Sequence, residues 1–274
     1  MMRLIRSELL KYVSTRTAWG LTAGMFLTGI GFAALFGALF VYGDILDGVE
    51  LSEVAPPLLL ARVIYTSAIQ FGYLLALVIG VLCIGQEYRH HTVTGTFLAT
   101  PKRGAVIAAK VVALCLIAVV SGVVHVAGAL VGGGAILVSA DLPVYPEAAD
   151  LTRTLLLMLL VLALWTLIGL GVGVLIPNQV AALSLAIAVA WIVEPLVAFG
   201  LTFVEWGESA SRFFPSQVTA ATLDIFTGAN DTLTSALGGP SDPLGWATGA
   251  TVLLAYAVVM ALVGLILTRS RDIA

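Results

Sequence analysis

The stretch Thr154-LLLMLLVLALWTLIGLGVGVLIPNQVAALSLAIAVAWI-Val193 runs for forty residues without an Asp, Glu, Lys or Arg. As one helix, at about 1.5 Å per residue, it would measure about 60 Å, twice the hydrocarbon thickness of a bilayer. It has to turn. Pro177-Asn178-Gln179 supplies the place, because proline removes a backbone donor and the two amides favour water. Two spans follow, about 154–176 and 180–203.

Working outward, Thr17 to Gly43, Val63 to Gln86, Val111 to Ala140 and Pro243 to Thr268 are equally free of charge. Each predicts one apolar helix of membrane-crossing length. The chain therefore reads as an all-α membrane protein with six transmembrane helices, at about 17–43, 63–86, 111–139, 154–176, 180–203 and 245–268, in a single domain 1–274. Composition agrees: 60% of the 274 residues are hydrophobic, 11% are charged, and mean hydropathy is +1.07. So much apolar surface cannot be hidden in one water-soluble core, which excludes a soluble monomer. The net charge of −3 points to no nucleic-acid partner.

Charge distribution orients the spans. Arg3, Arg6, Lys11 and Arg16 precede the first, Arg89, Lys102, Arg103 and Lys110 lie between the second and third, and Arg269 and Arg271 follow the sixth. The opposite face carries only Arg62, Arg153 and Arg212, but most of the Asp and Glu. The positive-inside rule makes the basic face cytoplasmic, with both termini on it. A cleaved signal peptide is not expected, since the apolar run after Arg16 far exceeds a signal core. Before it, Met2, Ile5, Leu9, Tyr12 and Val13 share one side of a helix while Arg3, Arg6, Glu8 and Lys11 point elsewhere. That pattern suits an interfacial helix on membrane lipids, or a basic flank that orients the first span. Cys83 and Cys115 fall inside spans and give no disulfide framework.

The most informative loop is Glu87-YRHHTVTGTFLATPK-Arg103, on the cytoplasmic face. Residues 87–100 can form a short helix stopped by Pro101, with Val93 and Phe97 one turn apart and Lys102 and Arg103 near lipid phosphates. Gly95 weakens such a helix, so a partner surface is expected to order it. His90 and His91 are adjacent, about 100° apart on a helix, and cannot converge on one metal ion. No metal site and no catalytic residue are expected in the chain.

At these residues the sequence resembles the permease subunit of type-2 ATP-binding-cassette (ABC) exporters, in particular single-domain six-span actinobacterial permeases. The matching positions are Glu87 and Tyr88, Thr92, Gly95 and Thr96, Phe97 and Leu98, Pro101 and Arg103, then Ala108-Ala109-Lys110. His91 departs from the pattern, where the family often has Gly. The resemblance implies a coupling helix between spans two and three, docked in a groove of a separate cytoplasmic ATPase through Glu87, Tyr88, Arg89, Thr92, Val93, Gly95, Phe97, Leu98, Pro101 and Arg103. It also implies an interfacial N-terminal helix, outer re-entrant helices between spans five and six, and a permease dimer of two copies or of related chains in the cytoplasmic membrane. No G-x-x-x-x-G-K-[ST] phosphate loop occurs, so the chain itself is expected to hold no cofactor and to be no enzyme, ATP and Mg being bound by the partner. Spans lined by Ala, Val, Leu and Phe favour an amphiphilic or hydrophobic cargo: drug, antibiotic, peptide or lipid.

Two ionisable groups lie inside spans. His125 is either a hydrogen-bonded packing residue or part of a substrate path. Glu194 either sits near the outer interface, where the fifth helix kinks or ends at Pro195, or lines a polar cavity between subunits. Gly128-x-x-x-Gly132 and Gly169-x-x-x-Gly173 fit close helix packing within the chain. The resemblance to the exporter permeases, whose first and fifth spans meet across the dimer, implies that the glycine side of span one meets a second subunit. An ion-coupled secondary transporter is the alternative class, although only Glu194 and His125 serve it. An intramembrane enzyme comes third: Ser121 and His125 stand one turn apart, but no acid or oxyanion loop accompanies them.

Overall fold

A computed structural model of the chain describes residues 1–46, 49–89, 103–204, 206–227, 229–237 and 244–270. Helix α1 (Met2–Val13) leads into α2 (Arg16–Tyr42), where Thr15 caps the start by accepting from the Ala18 N–H. A short antiparallel ribbon, β1 (Asp44–Leu46) with β2 (Val49–Glu50), is followed by α3 (Leu51–Val54), α4 (Pro57–Thr66) and α5 (Ile69–Arg89). The chain continues through α6 (Arg103–Ser139) and α7 (Ala148–Leu175). Next come α8 (Gln179–Ala188), a π-helical turn (Val189–Val193) and α9 (Glu194–Leu201). Three short helices, α10 (Gly207–Ser211), α11 (Pro215–Leu223) and α12 (Asp231–Ala236), precede α13 (Trp246–Ser270).

Among the described residues, six stretches are long and apolar enough to cross a membrane: Arg16–Tyr42, Pro57–Gln86, Ala108–Ser139, Ala148–Leu175, Gln179–Leu201 and Trp246–Val263. This is the architecture of a multi-span membrane protein. The expected turn between the fourth and fifth spans is present, and Asn178 makes it by accepting from the N–H groups of Val180 and Ala181 at the start of α8.

Glycines decide which helices touch. A Cβ on Gly29 would lie 2.4 Å from the His125 carbonyl, and one on Gly128 or Gly132 would strike the carbonyl of Phe26 or Ile30, so α2 and α6 meet backbone to backbone. Likewise Gly169 faces the Leu77 carbonyl and Gly80 the Thr166 carbonyl, joining α5 to α7, while Gly171 makes room for Met260 of α13. Both small-residue motifs thus work within the chain. On span one the glycines divide: Gly29 is in this seam, whereas Gly20 and Gly31 have open space.

The bundle has two distinct ends. One carries Glu8, Lys11 and Lys110, with the Gln179 side chain against Gly85. At the other, Tyr42 bonds Ser139 and the Tyr65 hydroxyl donates to the Val144 carbonyl. Arg153 there pairs with Asp224 at 2.9 Å and lies 5.0 Å from the Trp246 ring centre.

Two expectations need correction. Span two begins at Pro57 rather than Val63, because Arg62 does not stop the helix: it is only 2% exposed, and its Nη1 donates to the Thr227 carbonyl. Glu8 does not lie on the solvated side of α1. It turns into the protein beside Ile5, Leu9 and Tyr12, while Met2 and Val13 are exposed, because a cation on α6 awaits it.

Candidate functional site

The candidate coupling segment is bracketed by two helix ends. Glu87, Tyr88 and Arg89 form the last turn of α5, and Arg103 opens α6. Thr92, Val93, Gly95, Phe97, Leu98 and Pro101, with His90 and His91, lie outside the described residues, and so does the expected coupling helix.

Beside these helix ends, α1 packs along the base of α6. The Glu8 carboxylate receives Lys110 at 2.5 Å and Lys11 at 2.6 Å, with Glu8 and Lys110 both 8% exposed. Burial by itself raises the Glu8 carboxyl, but the Lys110 charge and the hydrogen bonds from Lys11 and Lys110 outweigh it and hold the group below its ordinary value of 4.5. One ion pair therefore fixes α1 to the helix that leaves the loop. Residues 8 and 110 are about a hundred positions apart, and although Lys110 closes the Ala108-Ala109-Lys110 step, nothing in that step names Glu8 as its partner, so the sequence offered no signal for the pairing.

The intramembrane groups occupy separate places. His125 is fully buried between α2, α5 and α6. Its Nδ1 is 2.9 Å from the Met25 carbonyl, which requires the proton on Nδ1, and its buried Nε2 has no hydrogen-bond partner among the described residues. Gly72 gives the ring its slot: a Cβ there would lie 2.6 Å from Nε2. The imidazole bonds a main-chain carbonyl, and among the described residues it makes no hydrogen bond to Ser121.

Glu194 is 8% exposed and stands where the π-helical turn passes into α9. The helix does not end at Pro195 but runs on to Leu201. Glu194 Oε1 accepts from the Ser216 N–H at 2.7 Å, at the start of α11. Around it, the Trp165 Nε1–H donates to Thr219 Oγ1 at 2.8 Å, Tyr73 stacks on Trp165 with ring centres 4.3 Å apart, and the Tyr256 hydroxyl donates to the Phe213 carbonyl. Helix α11 is accordingly inside the bundle, with Val218, Thr222 and Leu223 buried. Asp224 at one end of α11 pairs with Arg153 and Thr219, about 7.5 Å along the helix, accepts from Trp165 about three turns further along α7, so α11 runs inward from its Asp224 end. Ser216, Thr219 and Trp165 were not foreseen. The available signal was Phe214-Pro215, a helix start with no capping side chain of its own, which needs an acceptor from elsewhere.

Among the described residues, no three His, Cys, Asp or Glu side chains gather as a metal centre. No protein-family model matches the chain, and no curated protein matches it.

Proposed function

We propose that the chain is the membrane-spanning permease half of a type-2 ABC exporter, working as a dimer with a separate cytoplasmic ATPase that docks on Glu87–Arg103. The observation that carries this reading is the order of residues from Glu87-Tyr88 through Gly95-Thr96 and Pro101 to Arg103, between two of six apolar helices in a chain with no phosphate loop. The anchoring of α1 beside the same helix ends supports it, since a docked motor needs a stiff platform to push against. By the positive-inside rule the Glu8–Lys110 end faces the cytoplasm, and α11 then enters from the outer side as a re-entrant helix. The apolar spans favour an amphiphilic or hydrophobic cargo.

Copurification tests the reading. An ATPase subunit is expected to come down with the chain, and Glu87→Ala or Phe97→Ala is expected to leave ATP hydrolysis running while cargo export falls. Cargo movement in ATP-depleted vesicles, driven by an ion gradient, would replace the exporter with an ion-coupled transporter.

A further inference from the structure

Helix α11 cannot cap itself. Phe214 stands at its N-cap position with no side-chain acceptor, and Pro215 at the first helical position has no N–H, so Ser216 carries the first free donor. That donor goes to a carboxylate 22 residues upstream, Glu194 Oε1. Besides accepting the bond, the Glu194 carboxyl stands at the positive end of the helix dipole. The carboxylate itself is rooted at a weak point of span five. It follows the π-helical turn Val189–Val193, and Pro195 after it has no N–H for the Trp191 carbonyl. A helix interrupted in this way bends there more readily than elsewhere.

We propose that Glu194 is a positioning residue: its carboxylate is at once the cap of α11 and the tether that couples the bend in span five to the seat of that helix. When span five flexes, the N-terminus of α11 moves with it. In the exporter reading, on which only this last step rests, the coupled pair is a moving part of the route by which cargo leaves.

Hydrogen exchange on the full-length protein in nanodiscs reads the cap. Glu194→Ala is expected to speed exchange of amides 216–219 by about tenfold, and Glu194→Gln, whose side-chain oxygen still accepts, by less than about threefold. Adding Phe214→Asp to Glu194→Ala supplies a local cap and is expected to restore protection without restoring the link to span five. Unchanged exchange in Glu194→Ala, or equal acceleration in Glu194→Gln, overturns the cap. Spin labels at Phe199 and Gln217, with Cys83 and Cys115 replaced by Ser, read the tether. The distance distribution is expected to broaden in the Glu194→Ala/Phe214→Asp protein, and an unchanged width overturns the tether. If the wild type shows no ATP-driven export, the exporter reading falls while both spectroscopic results stand.

Discussion

The carboxylate of Glu8 meets the ammonium of Lys110 at 2.5 Å, with both side chains almost out of contact with solvent. An N-terminal helix that composition alone would lay loosely on a membrane is in this way fastened two turns into α6. Removing one partner of such a pair strands the other charge. Glu8→Gln is expected to lower stability by about 3 kcal/mol, and Lys110→Met by less, because Lys11 still faces Glu8. Thermal unfolding in detergent measures both, and a Glu8→Gln protein melting with the wild type would contradict the structural role.

The same pair gives stability a pH dependence of known sign. The folded state holds the Glu8 carboxyl below its ordinary 4.5, so its contribution is fully present above about that value and is lost as pH falls through the lower folded-state value. The melting gap between wild type and Glu8→Gln is expected to be constant at about pH 5 to 7 and to close as pH falls below 4.5 and through the lower folded-state value. A gap that widens on acidification would reverse the sign.

Gly72 and His125 form a lock that a methyl group spoils. Since a Cβ at 72 would lie 2.6 Å from a buried, hydrogen-bonded ring, Gly72→Ala is expected to cost about 1–3 kcal/mol. His125→Ala empties the slot, so the double variant is expected to be more stable than the sum of the two single changes. Strict additivity in a double-mutant cycle would show that the ring is not what the glycine accommodates.

Glycines that look alike in the sequence are expected to behave in opposite ways. Gly169→Ala sets a Cβ 2.1 Å from the Leu77 carbonyl, and backbone cannot step aside, so a loss of at least about 2 kcal/mol and poor recovery of folded protein are expected. Gly31→Ala meets nothing within 4 Å and is expected to be neutral or stabilising by up to about 1 kcal/mol. Equal damage from both would mean that Gly31 is covered by a partner that the single chain does not show.

The spans were legible because their signal is redundant: hydrocarbon thickness demands about 20 uncharged residues, and few chains show such runs by accident. The turn after Ile176 was legible for the same reason, the helix having nowhere else to fold back. The start of span two was not, because Arg62 looked like a boundary, and only the Thr227 carbonyl at 3.2 Å explains how an arginine can be enclosed there. For Glu194 the depth along span five was legible but the partner was not, since Ser216 lies 22 residues on and its donated bond depends on how α11 packs back against the span. The Glu8–Lys110 pairing was hidden likewise, because helical periodicity places a charge on a face without saying which neighbour covers that face.

The seam between α5 and α7 has a mechanical consequence. Main chain rests on main chain at Gly80 and Gly169, with no side chain between them to change rotamer, so these two rods can neither roll nor slide without prising carbonyls apart. They make a girder at the centre of the bundle, and compliance is left to the members outside it, foremost the fifth span with its π-turn and proline.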